Sequence, residues 1–410
     1  MNTTYLFNTM WVVCASVFVF AMQAGFACCE SGFARSKNAC NIWLKNLLDF
    51  CVGALVYYFI GFGLMYGDDW HGLIGINGFF NPLDQNLAIW QTYDGTLSRA
   101  AFLLFQTMFC ATTATIISGT VAERFRFDSY IIVSAFMTAL VYPVVGHWVW
   151  GGGWLSQIGF ADFAGSAAVH MCGGFAALMG AIQVGPRIGK YVNGKVNAIP
   201  GHNIPMGMLG AFILWIGWYG FNPGSELALD DVTFYTCITT TFAGAAGCLA
   251  GLFTSWIRYK KPDPTLAANG ALGGLVAVCT GVAQVSYIGS MIIGAVAGIL
   301  ITLSIEFVDH KLHIDDPVGA ISLHGVCGMT GTLLGGLLST EDGLFYGFGA
   351  SRFLAQLIGV VSIGAFVLIS TGILYFVLKK TIGIRVPKEM ELAGLDVTEH
   401  GMTAYPDIMG

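Results

Sequence analysis

Two stretches of the chain read alike. One is Asp162-Phe-Ala-Gly165-Ser-Ala-Ala-Val-His170 and the other is Asp316-Pro-Val-Gly319-Ala-Ile-Ser-Leu-His324, with Gly173 and Gly328 following shortly after. Both spell D-x-x-G-x-x-x-x-H, an aspartate suited to cap a helix and a histidine roughly 12 Å further along it. Two neutral imidazoles brought together can share a proton ring to ring, and each still offers a donor or an acceptor to a small polar molecule. Two imidazolium ions side by side in apolar surroundings would repel, so the pair is expected to be neutral. Metal binding is the competing chemistry, but two histidines without a nearby carboxylate or thiolate make a weak ligand set. For Asp162 two compatible roles stay open: capping the helix it precedes, and long-range attraction of a cation. Asp316, with Pro317 at the first helical position, reads as a structural cap.

The elements that must position these groups are apolar almost throughout. Of 410 residues, 55% are hydrophobic and only 42 are charged, 18 Lys and Arg plus 24 Asp and Glu. Charged residues make up 10% of the chain, against roughly 25% for a soluble domain. That excludes an ordinary soluble enzyme and a disordered chain, and a net charge of −6 leaves no basic stripe for nucleic acid. The 55 glycines have no collagen period and read as close-packing positions between membrane helices. Eleven cysteines, an odd number and mostly inside apolar runs, suit small core residues better than a disulfide framework.

A crossing helix needs roughly 20 apolar residues. Eleven such runs are expected, at 9–29, 46–66, 99–121, 128–148, 162–184, 203–222, 232–257, 266–284, 287–308, 317–338 and 349–378. The fold class expected is therefore an all-α membrane protein with a membrane domain over 1–378 and a tail over 379–410. Met1 to Asn8 contains no Lys or Arg, so the first run does not read as a cleaved signal peptide. Sixteen of the 18 basic residues follow odd-numbered runs, leaving Arg99 and Arg352 on the other side. The positive-inside rule then predicts an outside N-terminus and a cytoplasmic C-terminus. The two D-x-x-G-x-x-x-x-H copies begin runs five and ten. Five is odd, so the repeats run in opposite directions, a 5+5 inverted architecture with an eleventh helix added. From opposite faces His170 and His324 can meet near the midplane.

With those residues in hand, the chain resembles the ammonium transporter family (Amt/Mep/Rh) from the first run through the tail. The matching motifs are the Asp162 and Leu323-His-Gly-Val-Cys-Gly328 segments, Trp150-Gly-Gly-Gly, Gly217-Trp-Tyr-Gly-Phe-Asn-Pro-Gly-Ser225, and the tail segments Gly383-Ile-Arg-Val-Pro-Lys-Glu and Gly394-Leu-Asp-Val-Thr-Glu-His-Gly401. Pro223 inside the FN-x-GS motif is a departure. The resemblance implies a homotrimer in the plasma or inner membrane, no cofactor, and one narrow apolar pore per subunit. It implies a recruitment site of Trp150, Phe109 and Ser225, a gate of stacked Phe109 and Phe221, the twin histidines His170 and His324, and a supporting Asp162. Phe105 and Thr280 fall at further pore-lining positions. In the tail, the resemblance implies that the segment holding Arg385, Gly394, Asp396 and His400 couples the subunits and can be met by a cytosolic PII signal protein.

The chemistry of those residue types agrees. An aromatic cage attracts a small cation by ~0.5–2 kcal/mol per contact. A serine hydroxyl can accept an N–H bond, which separates ammonium and methylammonium from a bare metal ion. An intact ion in a dry apolar pore is costly, which favours deprotonation first. The competing function is an ammonium sensor of the same fold that signals through a further domain. An intramembrane enzyme has little support, since no nucleophile–base pair is evident. The long loop from about Gly67 to Ser98 could cover the mouth or pack on a neighbour.

Overall fold

The computed structural model describes residues 2–406. It is mostly helical, built from α1 (Thr3–Phe33), α2 (Ser36–Tyr66), α3 (Arg99–Val121), α4 (Phe127–Gln157), α5 (Ser166–Val184), α6 (Ile204–Glu226), α7 (Asp231–Tyr259), α8 (Pro264–Val278), α9 (Tyr287–His310), α10 (Ile321–Leu338) and α11 (Ser351–Thr381). Among the described residues, ten of these are long and apolar enough to cross a membrane; α8 is a shorter apolar helix. Two short hairpins, Asp69–Trp70 with Ile74–Gly75 and Tyr191–Val192 with Lys195–Val196, are the only paired strands described. Large apolar side chains such as Ile257, Ile288, Phe212 and Ile369 point outward. Water would not tolerate so apolar an exterior, and lipid does. This is a multi-pass membrane protein.

Several boundaries differ from the expected runs: α2 begins at Ser36 rather than 46 and α4 runs to Gln157 rather than 148, and four further differences have a local reason. Helix α1 continues past residue 29 to Phe33, which carries Glu30 into the bundle, where it is buried. Helices α5 and α10 begin at Ser166 and Ile321 rather than at their aspartates. The intervening residues form a capping loop in which Gly165 (φ +104°) and Gly319 (φ +79°) take the left-handed conformation that a Cβ disfavours. Helix α8 stops at Val278, short of 284, because the next carbonyls leave the helix. Those of Cys279 and Thr280 accept N–H bonds from Ala164 and Phe163, both at 3.0 Å.

The two repeated segments fold alike. Asp162 accepts from Gly165 N (3.0 Å) and Ser166 N (2.9 Å) through Oδ1, and from Ala167 N (2.8 Å) and Ala168 N (3.0 Å) through Oδ2. Asp316 accepts from Gly319 N (3.1 Å) and Ile321 N (2.8 Å). A threonine from a distant part of the chain completes each: Thr280 Oγ1, just beyond α8, donates to Asp162 (2.9 Å) and Thr120 Oγ1 of α3 to Asp316 (3.2 Å). A widened π turn follows in both, Ser166–Met171 and Ile321–Val326, and each contains its histidine. Phe163 of the Asp162 loop shares a cavity wall with Phe105 and Phe109, at the middle of α3, and Asp316 meets Thr120 in its last turn. The two caps therefore sit at different levels along α3.

Close backbone approach holds the helices together. A Cβ on Gly294 of α9 would lie 2.1 Å from the Ala243 carbonyl oxygen of α7, so only glycine fits that crossing. After α11 the chain folds back over the helix ends as α12 (Lys388–Ala393) and α13 (Leu395–His400). Asp396 caps the start of α2 by accepting from Cys40 N (3.0 Å) and Asn41 N (2.8 Å). Arg385 donates to Glu391 (2.7 Å) and to the Val184 carbonyl (3.0 Å), and Gly394 (φ +109°) lies against Lys37. His400 Nε2 stands 2.9 Å from Asn41 Nδ2 and its ring meets Phe127 edge-on. Residues 407–410 of the expected tail lie outside the described residues.

Candidate functional site

At the end of the bundle opposite the tail, a cavity of about 170 Å³ opens between α3, the end of α4, the end of α6 and two loops. Phe105 and Phe109 project from one face of α3, a turn apart, with ring centroids 4.7 Å from each other. Trp150, at the end of α4, meets Phe109 edge-on at 6.3 Å. Its indole N–H donates to the Asp162 carbonyl oxygen at 2.7 Å, so the capping loop fixes the indole as well as the helix. Ser225, in the single turn that closes α6, donates its hydroxyl proton to the Phe221 carbonyl at 2.7 Å. The oxygen is left able to accept only.

The floor of this cavity is a stack. Phe109 and Phe221 lie 4.1 Å apart with their planes at 16°. Beneath them His170 stacks on Phe221 at 5.2 Å and on Trp218 at 5.5 Å. Nδ1 of His170 stands 3.2 Å from Nδ1 of His324, and both side chains are buried. One of those nitrogens must donate and the other accept. The outer nitrogens of a neutral pair are then opposite in kind: the ring that donates through Nδ1 carries a bare Nε2, and its partner carries an Nε2–H. His170 Nε2 is buried with no partner among the described residues. On the tail side of the pair a cavity of about 30 Å³ is lined by His324, Phe26, Val318 and Leu272, and by Glu30.

Not every residue singled out in the sequence lies on these walls. Thr280 is fully buried behind them, bonded to Asp162 and to Thr332 at 3.2 Å. Asp162 is itself 3% exposed, and its five donors fill the lone pairs of a carboxylate, so it offers no bond to a ligand. Other residues were missed. Tyr66, Tyr93, Gln106, Phe163 and Leu227 also line the aromatic cavity, and Gln106 Oε1 is buried without a partner among the described residues. Gln106 stood in the open beside Phe105 in an expected span. Tyr93 belongs to the long loop, whose path no local pattern gives.

Polar side chains close the tail end. Glu123 holds Arg35 and, at 2.6 Å, Arg187, which in turn grips Asp315 at 2.8 and 2.9 Å. Burial alone would push the Asp315 carboxyl up. The hydrogen bonds and charge of Arg187, with the charge of Arg124, outweigh it and hold that carboxyl below the usual carboxylate range.

The comparisons agree with this architecture. The model of the Ammonium Transporter Family matches residues 10–405. Ammonium transporter Amt2 of Archaeoglobus fulgidus is 41% identical, over 98% of this chain and 88% of its own length. Among solved structures, one named Sensor Amt Protein is similar with a TM-score of 0.92 at 38% identity, covering 97% of this chain and 99% of that one. Candida albicans Mep2 is similar with a TM-score of 0.86 at 29% identity, covering 97% and 90%. A family match over nearly the whole chain, and a relative this similar along nearly all of it, place the protein: it belongs to the ammonium transporter family.

Proposed function

We propose that the protein carries ammonium across the cell membrane by taking it up at the aromatic cavity, deprotonating it, and passing ammonia and proton separately along the histidine pair. The observation that carries this reading is the histidine pair itself, two buried imidazoles 3.2 Å apart directly beneath stacked phenylalanines. In the cavity, Trp150 and Phe109 supply ring faces to the cation and Ser225 an oxygen that can only accept; the unpartnered Gln106 Oε1 is a second acceptor. Directly beneath the stack His170 is surrounded by Phe221, Trp218 and His324, which do not replace the shell of a hydrated ion, so the whole cation is disfavoured there. His170 Nε2, without a partner among the described residues, takes the proton when it is the bare nitrogen of the pair, His170 Nδ1–H gives one to His324 Nδ1, and the uncharged amine follows.

Several finer features belong to the same reading. All eleven helices cross the bilayer, α8 included, as two inverted five-helix halves and an added α11. The matched caps, threonine donors and π turns of α5 and α10 support that symmetry. The bias of basic residues supports a cytoplasmic tail and an outside N-terminus. Residues 1–378 form the membrane domain and 379–410 the tail. The subunits assemble as homotrimers, and the tail is a surface for a PII signal protein.

The test is electrical. Proteoliposomes holding the native chain should give a transient current on an ammonium jump, a smaller one with methylammonium and none with sodium. The His170→Ala and His324→Ala variants should lose the current or its selectivity. Native selectivity and current in both variants would remove the histidines from the path. A second reading, an ammonium sensor, is favoured by the likeness to the structure named Sensor Amt Protein. Ammonium binding by the native chain with no current would select it.

A further inference from the structure

One ionisable group of the pore wall is left without a part in that sequence. Glu30 lies in the last turns of α1, is 3% exposed, and lines the small cavity on the tail side of the histidine pair. Phe26, one turn earlier on the same face, touches His324 with ring centroids 5.9 Å apart. The rest of that wall is apolar apart from Cys29, Asn269 and His324. A carboxyl group at such a depth is costly and needs a reason.

The surroundings of Glu30 suit both of its protonation states. As a carboxylate it accepts from Asn46 Nδ2 at 2.9 Å and from Ser118 Oγ, 2.6 Å from each of its oxygens. As a carboxylic acid it can donate to the same Ser118 oxygen, because that hydroxyl also lies 2.8 Å from the Thr115 carbonyl and can turn its proton there. A single hydroxyl rotation thus keeps every partner bonded in either state. A Cβ on Gly119 of α3 would lie 2.5 Å from Val318 Cγ2 and 3.1 Å from Glu30 Cγ, so the glycine makes room for both side chains. The charged groups nearest by are Lys45, which donates to the Phe125 carbonyl at 2.9 Å, and Asp49, which accepts from Tyr130 at 2.6 Å. Both belong to α2 and have their own partners.

We propose that Glu30 accepts the proton that leaves the histidine pair toward the tail end, a role that rests on the ammonium-conducting reading above. The cavity between them, about 30 Å³, has room for one water molecule. The step is a paired transfer. The Nε2–H bond of His324 breaks and its proton goes to the water oxygen, while one O–H bond of that water breaks and its proton goes to a Glu30 carboxylate oxygen. Water is regenerated, Glu30 becomes a neutral acid, and the pair is again neutral with its two tautomers exchanged. The proton on Glu30 is then available to ammonia arriving on the tail side, which re-forms ammonium.

The experiment uses the full chain in proteoliposomes and reads two quantities, ammonium-evoked current and ammonia flux seen as a pH change inside the vesicle. Glu30→Gln keeps the shape and an acceptor for Asn46 but cannot take a proton. Its current should fall about ten-fold or more, the scale of losing a positioned proton acceptor, while ammonia flux persists, and Glu30→Asp should recover part of the current. Unchanged current in Glu30→Gln overturns the proposal. Loss of current and flux together, with no rescue by aspartate, also overturns it and leaves Glu30 a packing residue. If Glu30→Gln does not insert, Ser118→Ala replaces it: current should fall with flux kept, and native current overturns the proposal. A native chain without current strikes the conducting reading itself, and is told apart because it fails before any variant is compared.

Discussion

A hydroxyl that has given its proton to a carbonyl can only receive, and Ser225 is held in that state by Phe221. Its contribution to binding should therefore be one accepted N–H bond, worth ~0.5–1.5 kcal/mol net. Ser225→Ala should raise the half-saturating ammonium concentration about two- to ten-fold, read from the concentration dependence of the current; no change would take the serine out of the site. The histidines behave differently because each depends on the other's tautomer. Replacing His170 leaves His324 with no ring to exchange with, and the converse holds. The two single alanine variants should each cost nearly as much as the double variant, so their effects on current should be far from additive. Additive losses would mean the rings act independently.

Among elements, the loop between α4 and α5 carries the most. The Asp162 side chain collects four backbone N–H groups, its backbone carbonyl holds the Trp150 indole, and Thr280 reaches it from beyond α8. An asparagine there keeps one oxygen and turns an NH2 toward two backbone donors. Asp162→Asn should cost about 2–4 kcal/mol, the order of two buried donors left unmet, seen as a lower unfolding temperature in detergent. Ammonium affinity should weaken with it, because the aromatic wall moves with the loop. Unaltered unfolding and affinity would show that the cap is dispensable.

At the scale of the whole molecule, the tail end is held by charge. Asp315 has its carboxyl held below the usual range, chiefly by Arg187 once burial has been overcome. A depressed folded value means that its stabilisation is fully present above the unfolded value of about 4 and is lost as pH falls below it. The native protein should lose thermal stability below about pH 4. Asp315→Asn should blunt that acid loss and cost about 3–5 kcal/mol at neutral pH, since Arg187 keeps only Glu123. A variant with the native acid profile would exclude Asp315 as its source. The tail is fixed to the same end through Asp396 on α2, and a protease site placed after residue 406 should be cut only from the side that the basic residues face. Cleavage from the opposite side of intact cells would reverse the topology.

Composition and pattern determined much of this protein alone, because they report on the solvent. A chain with 10% charged residues has to bury its backbone in helices within lipid, and the repeated D-x-x-G-x-x-x-x-H pointed to the two histidines. The run at 99–121 coincides with α3 because nothing interrupts its helix. What the pattern left open depended on distant partners. Thr280 reads as a wall residue until α8 is seen to break off and turn that side chain onto Asp162. Glu30 reads as the first residue beyond a span, since hydropathy drops where a charge occurs. Only the packing of α1 against Asn46 and Ser118 shows that the helix continues and that the charge is housed. Tyr93 joins the aromatic cavity across a loop whose course is set by its contacts with the bundle. Local sequence fixes where the chain prefers helix and lipid, while the partner that satisfies a buried polar group is chosen in three dimensions, by residues that can lie more than a hundred positions away.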